Sequence, residues 1–257
     1  MEKNIKITLL GTGTSQGVPV IACDCNVCAS TNKLDQRLRS SILVESPTTT
    51  VVIDAGPDFR QQMLVHKVKK LDAVLFTHEH KDHIAGLDDV RAFNFKQQSA
   101  IDIYGRQQVL KALKNEFHYA FTEEKYPGVP LLNLIEISNS SFRIGDIDFL
   151  PVEVMHHKMP VFGFKINNFT YVTDANFISD TEMKKIMESD IFILNALRIE
   201  KHLSHYNLEE AIQIAKQANA KLTYFTHISH LLGLHDDVES NLPPTIQLAF
   251  DGLSFFV

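Results

Sequence analysis

Within LDAVLFTHEHKDHIAGLDDV, residues 71–90, four ligand-type side chains (His78, His80, Asp82 and His83) crowd together directly after the apolar run from Ala73 to Phe76. Imidazole and carboxylate in combination suit zinc, manganese or iron, and a catalytic centre also keeps a position open for water. A zincin helix is excluded, because the second histidine of His-Glu-x-x-His would have to fall at residue 82, which is Asp82. At the end of a strand, His78 and His80 alternate and so aim two imidazoles the same way, while Asp82 and His83 belong to the turn that follows. Four ligands in one loop do not converge on one ion without strain. Two neighbouring ions would share them more easily and require further ligands downstream. Candidates stand where other β-rich runs stop: His156 and His157 after FLPVEVM, Asp174 in FTYVTDAN, and His227 and His230 in KLTYFTHISH.

A second constellation is CDCNVC, which holds all three cysteines of the chain, Cys23, Cys25 and Cys28. An odd number so closely spaced does not make a disulfide framework, whereas one- and two-residue spacers are metal-ligand spacing in which zinc requires a fourth ligand. A reduced, cytoplasmic protein is the natural reading. The nearby GTGTSQG, with Gly11, Gly13 and Gly17, lacks both the helix and the spacing of a dinucleotide site, since Val18, Pro19 and Val20 follow. It reads as a tight loop.

The elements that must position these groups are many short strands: IKITLL, SSILVE, TVVID, AVLFT, IDIYG, LNLIEI, IDFLPVEV, VFGFKI, FTYVTD, IFILNA, LTYFTH and LSFFV. SILVESPTTTVVID and FGFKINNFTYVTD read as antiparallel hairpins with Ser, Pro and Asn at the bends. Helices are expected over 58–66, 106–115, 179–188 and 207–217, the last opened by Asn207 with Glu210 three positions on, a capping box. Together these point to an α/β sandwich of two packed sheets with helices outside. Residues 117–133 are the most loop-like stretch, either a lid over a pocket or a packed connection. The chain of 257 residues is 44% hydrophobic and 22% charged, ordinary for a globular protein, and its net charge of −6 gives no encouragement to long nucleic acid. Neither a leader pattern nor a run of transmembrane length is visible, so no membrane partner is expected. A homodimer is compatible with the sequence.

LLGTGTSQGVPVIACDCNVC, VVIDAG, THEHKDHIAGL, TDA and THISH together resemble the metallo-β-lactamase superfamily, and within it the PhnP-like phosphodiesterases, from Leu9 to the final FDG. The resemblance implies an αββα sandwich, one domain over residues 1–257 with a zinc knuckle near 23–28. It implies that His78, His80 and His156 bind one metal, that Asp82, His83 and His227 bind the other, and that Asp174 bridges them, with Mn or Zn in both positions. Asp54, ending VVID, matches an aspartate that orients a ligand histidine. Cys23, Cys25, Cys28 and His230 would hold a separate structural zinc. His205, in EKHLSHYNLEEA, aligns with a histidine that protonates the leaving group, and a hydroxide shared by the two ions would attack a small phosphodiester, the family's best-known case being a ribose cyclic phosphate. Lys158, Arg60 and Lys201 are conceivable phosphate contacts but read better as ordinary solvated charges. Ribonuclease Z shares HxHxDH, but no Gly/Pro-rich basic arm for gripping tRNA is visible. PqqB-like proteins share CxCxxC with an incomplete catalytic ligand set, and a non-catalytic metal-binding module would show metal without turnover.

Overall fold

The computed structural model describes residues 5–124, 126–187 and 189–257. Among them, one sheet has seven strands in the order Ser254–Phe256, Lys6–Gly11, Ser41–Glu45, Thr50–Ile53, Ala73–Leu75, Ile101–Gly105 and Leu132–Glu136. The other has eight: Phe177–Ile178, Ile147–His156, Met159–Ile166, Phe169–Val172, Ile191–Asn195, Leu222–Thr226 and Ile246–Leu248 in order, with Phe142–Ile144 pairing on Ile147–His156. Both predicted hairpins form, in the registers Ile42↔Ile53 and Thr170↔Lys165. Beyond the hairpins the pairing becomes parallel, from Thr50–Ile53 to Leu132–Glu136 in the first sheet and from Phe169–Val172 to Ile246–Leu248 in the second.

Strand alternation distributes the apolar residues over three cores. Val51, Ile53, Ala73 and Leu75 meet Phe162, Phe164, Phe169 and Tyr171 between the sheets. The intervening Val52 and Val74 face outward onto Phe59, Met63, Phe93 and Leu113. On the other side Val172, Phe192 and Leu194 pack with Met183, Ile186, Ala211 and Ala215. Strands buried on both faces read as continuous apolar runs, which explains VVI and AVL.

The expected helices form as Phe59–Val65, Gln107–Glu116, Asp180–Ile186 and Leu208–Ala218. Glu188, placed at the end of the third, lies outside the described residues. The capping box is present: Glu210 N–H donates to Asn207 Oδ1 at 2.9 Å and Asn207 N–H to Glu210 Oε2 at 3.1 Å. Ala211, Ala215 and Ala218 form the buried stripe of that helix. Asp82 and His83, expected in a plain turn, instead begin a short helix, Lys81–Ile84, with Arg91–Gln97 soon after. The segment after Phe117 is anchored at its ends, where Phe117 and Ala120 are buried in the outer core and Asn94 exchanges two hydrogen bonds of 3.0 Å with Leu131 N and O, while Thr122–Glu124, Tyr126 and Pro127 are exposed. Lys125 within it lies outside the described residues. Among the described helices none is long and apolar enough to cross a membrane.

Candidate metal centre

The two parallel regions end on a common rim, and the ligand-type residues project from it. Asp54 follows Thr50–Ile53, His78 follows Ala73–Leu75, Asp174 follows Phe169–Val172 and His227 follows Leu222–Thr226. Asp54, Asp174 and His227 have φ of 66°, 56° and 55°. This left-handed turn costs a non-glycine residue about 1–3 kcal/mol and persists only where the surroundings enforce it. Two such clamps are visible. Asn195, fully buried, accepts from Ala175 N–H at 2.7 Å and donates to Ala175 O at 2.9 Å beside Asp174. Ile228 N–H donates to Thr12 O at 2.9 Å and Thr14 N–H to Ile228 O at 3.0 Å beside His227.

Two main clusters result, each with its ligand atoms within 4.8 Å of one another: His78, His80 and His156, and Asp82, His83, Asp174 and His227; His156 and Asp174 also form a third such group with His205. Asp174 lies between them. Its Oδ2 is 3.8 Å from His78 Nε2, and its Oδ1 is 3.5 Å from His83 Nε2 and 3.1 Å from His227 Nδ1. His156 is buried in its cluster, whereas the adjacent His157 is exposed, with φ 57°, and belongs to neither. His205 is 8% exposed, with its ring 4.6 Å from that of His156 and stacked 4.9 Å from that of His227.

The tautomers follow from what each ring touches. Thr77 Oγ1 donates to Asp54 Oδ2 at 2.8 Å, so it accepts from His78 Nδ1–H at 2.9 Å and leaves His78 Nε2 as a lone pair. That lone pair faces His80 Nδ1 at 3.1 Å. His83 Nδ1–H donates to Asp54 Oδ2 at 2.7 Å, and His156 Nδ1–H to Ser204 O at 2.9 Å. His83 Nε2 is therefore turned into the cluster, where it is buried 3.1 Å from Asp82 Oδ2 and 3.5 Å from Asp174 Oδ1 with neither aligned as a hydrogen bond. Ring nitrogens and carboxylate oxygens that converge in a buried pocket, with the far nitrogens of His78, His83 and His156 held by hydrogen bonds, are a donor set that a cation completes. The residues fit two divalent ions.

Charge gathers accordingly. Burial pushes the His83 imidazole down, but Asp174, Asp54 and Asp82 together push it well above its ordinary value. Burial likewise opposes ionisation of Asp82 and Asp174, yet His83 holds Asp82 below the usual carboxylate range, and His227 with His83 hold Asp174 well below it. Burial raises Asp54 and lowers His78, His80 and His227. It also pushes His205 down to about 3.

Cys23, Cys25 and Cys28 surround His230 Nδ1 at 3.3, 3.4 and 3.4 Å. A tetrahedral zinc with ordinary bond lengths sets S···N edges of about 3.5 Å, so this cluster also fits its ion. The Cys28 amide donates to Cys25 Sγ and, with His230, lowers that thiol to about 6. His227 and His230 stand on one turn between the clusters. The glycines of GTGTSQG serve backbone packing: a Cβ on Gly11 would lie 2.0 Å from Arg39 O. Arg60 lines a recess with Met63, Lys69 and Lys96 on the outer helical layer, while Lys158 and Lys201 are exposed.

Residues 49–228 match the family described as "Beta-lactamase superfamily domain", well over half of the chain. The chain belongs to the metallo-β-lactamase superfamily. Within it the likeness is PhnP-type: a crystal structure of a new diphosphatase from the PhnP family is 38% identical, with TM-score 0.91 over 98% of this chain and 97% of that one. An octanoyltransferase of Porphyromonas gingivalis is 38% identical over 98% of this chain and 52% of its own length. A ribonuclease Z of an Exiguobacterium species is 29% identical over 63% of this chain and 49% of its own. The chain thus spans about half the length of these curated relatives. Thr77, Ser204 and Asn195, which set the tautomers and backbone of this superfamily site, carried no sequence signal beyond being polar residues near strand ends or loops.

Proposed function

We propose that the protein is a metal-dependent hydrolase of small phosphodiesters, with His78, His80 and His156 on one ion, Asp82, His83 and His227 on the other, and Asp174 shared. The observation that carries this reading is the placement of Asp174, whose two oxygens face different clusters. Two divalent ions, manganese or zinc, would supply a nucleophilic hydroxide near neutral pH and offset the charge of the phosphate. The remaining work belongs to the chain. Asp54 and Thr77 fix the protons of His83 and His78 on the nitrogens away from the ions. His205, whose Nε2 faces the centre 4.0 Å from Asp174 Oδ2, is the acid for the leaving alkoxide. Burial keeps it neutral in the resting protein, and the phosphate's negative charge raises its pKa when substrate arrives. Cys23, Cys25, Cys28 and His230 hold a structural zinc in a reducing, cytoplasmic setting, and residues 1–257 act as one domain.

Octanoyl transfer, named for the longer P. gingivalis relative, is inferred to reside outside the half that this chain matches. The three cysteines here cluster on His230, and the imidazole and carboxylate set suits attack by water on a phosphoester. The test is metal analysis together with a panel of bis-aryl phosphodiester, ribose cyclic phosphate, β-lactam, thioester and pre-tRNA. Turnover of a phosphodiester by the fully metallated protein is expected. Thioester hydrolysis without phosphodiester hydrolysis overturns the reading, and cleavage of pre-tRNA in preference to the small diesters replaces it with a ribonuclease Z activity.

A further inference from the structure

His227 and His230, one ligand-type residue from the centre and one from the knuckle, stand on a single connection between the strand Leu222–Thr226 and the helix His235–Glu239. Among the described residues no helix or strand covers 227–234. His227 lies at φ 55° and Gly233 at φ 119°, so this backbone does not hold its course unaided and must be fixed where it begins and where it ends.

One buried side chain reaches both places. Arg37, 4% exposed, donates from Nη1 to Thr12 Oγ1 at 2.8 Å and from Nη2 to His235 Nδ1 at 3.0 Å. At the near end Thr12 O accepts from Ile228 N–H at 2.9 Å, while the Thr12 hydroxyl donates to Asp251 Oδ1 at 2.7 Å. Guanidinium and carboxylate thus pin the residue on which the turn after His227 rests. At the far end His235 N–H donates to Asp35 Oδ1 at 2.7 Å, and Ser30, two positions after Cys28, donates from Oγ to Asp35 Oδ2 at 2.6 Å. Arg37 Nη1 also donates to Ala249 O, and Ala249 N–H to Phe225 O at 2.8 Å, so the anchor is referred to the sheet itself. The planar fork of arginine is what meets several acceptors at fixed angles. Burial lowers Arg37 to about 10, opposed by Asp251, Asp35 and Glu239, and at neutral pH the fork stays charged with every donor available.

We infer that Arg37 is a positioning residue for both metal sites, setting through Thr12 and His235 where His227 and His230 present their nitrogens; this rests on the ion assignments proposed above and not on the phosphoester chemistry. Cobalt(II) binding to the full chain, without substrate, reads the two sites separately. Thiolate-to-cobalt charge transfer marks the knuckle, and total bound cobalt less the knuckle's share gives the centre. Arg37→Ala is expected to weaken both sites about tenfold or more, the loss typical when an outer partner of a metal-binding residue is removed. Thr12→Val removes only the hydroxyl at the near end and should weaken the centre more than the knuckle; His235→Phe removes only the acceptor at the far end and should do the reverse. Leu113→Ala, buried in the outer core on the helix Gln107–Glu116, destabilises the fold without touching the connection and should leave both affinities unchanged.

A change at neither site or at one alone in Arg37→Ala, or equal weakening by Leu113→Ala, overturns the inference. Should Arg37→Ala fail to fold, the opposite preferences of Thr12→Val and His235→Phe carry the same test, and equal effects or none overturn it. Hydrogen exchange in the metal-free chain is the second reading: the Ile228 amide should exchange about tenfold faster or more in Arg37→Ala, and in Thr12→Val, than in Leu113→Ala. If the wild type takes up no cobalt at either site, the ion assignments fall, and exchange still decides whether Arg37 anchors the connection; unchanged exchange overturns it.

Discussion

Replacing Asp54 by Asn tests the proton logic of the centre with little disturbance of shape, since Asn tolerates the left-handed φ of 66° found there. Asp54 is fully buried and its carboxylate accepts from Thr77 N–H, Thr77 Oγ1–H and His83 Nδ1–H at 2.9, 2.8 and 2.7 Å. In the variant the amide oxygen must stay on Thr77 N–H, because an NH₂ there would oppose another donor. The NH₂ then faces both Thr77 Oγ1 and His83 Nδ1. His83 is forced to accept at Nδ1 and to carry its proton on Nε2, the nitrogen that points into its cluster. Thr77, now accepting from the amide, turns its hydroxyl hydrogen toward His78 Nδ1 and imposes the same reversal there. A charge-assisted hydrogen bond of this kind contributes roughly 1.5–3 kcal/mol. Loss of a carboxylate that orients a metal-binding histidine lowers affinity about 10- to 100-fold, or about 1.4–2.7 kcal/mol, so the two estimates agree. The expected result is that both ions of the centre weaken together by this factor while the cysteine cluster keeps its own. Metal content measured after dialysis against a series of buffered free-zinc concentrations, with circular dichroism to confirm the fold, reads this directly. Unchanged affinity at both positions, or loss of the cysteine-bound ion along with the others, refutes the reasoning.

Three further outcomes are expected. His205→Ala should lower kcat on a phosphodiester with a poor leaving group about 10²- to 10⁴-fold while both ions remain, and much less on a 4-nitrophenyl ester, whose leaving group needs no proton; equal loss of metal would make His205 a ligand instead. Cys25→Ser should release the knuckle zinc, and a loss of roughly 2–3 kcal/mol lowers the melting temperature by about 5–10 °C in calorimetry; because His227 and His230 share a turn, affinity for the neighbouring ion should fall as well. Asp251, whose carboxylate accepts from Thr12 Oγ1–H and Leu38 N–H at 2.7 Å each, is pushed up to about 6 by burial. A raised carboxyl stabilises the fold fully below its unfolded value and loses that contribution as pH rises through about 6. Denaturant titrations at pH 4 and pH 7 should therefore show wild type losing roughly 2–3 kcal/mol more than Asp251→Asn across that interval, the titration of metal ligands cancelling between the two proteins; an equal loss would place the carboxyl in solvent-like surroundings.

Much of this was legible locally. Alternation and β-branched runs located the twelve strands named from the sequence, and Asn207 with Glu210 located the helix that fixes the loop carrying His205. The HxHxDH spacing is likewise a local signal. What the sequence could not reveal depends on distant pairing. The selection of His156 over His157 follows from the register His156↔Met159, which turns one ring inward and leaves its neighbour at the bend. The hydrogen bond from His156 to Ser204 joins residues 48 positions apart, and the Asn195 clamp on Ala175 spans 20. The strand Phe177–Ile178 has two residues, too few to show any period. Lys81–Ile84 is one turn of helix that carries Asp82 and His83 of one ligand-type cluster, so its composition speaks of chemistry before it speaks of secondary structure.

The left-handed residues at the strand ends have an evolutionary consequence. Asp and His are among the few non-glycine residues enriched at positive φ, so at Asp54, Asp174 and His227 the demands of the backbone and of the chemistry select overlapping sets of residues. In a lineage released from metal binding the chemical demand lapses while the backbone demand stays. These three positions would then drift toward Gly and Asn and stay closed to Val or Ile. Such a pattern, read in descendants that keep the fold, would distinguish a retired enzyme from one that has only changed its substrate.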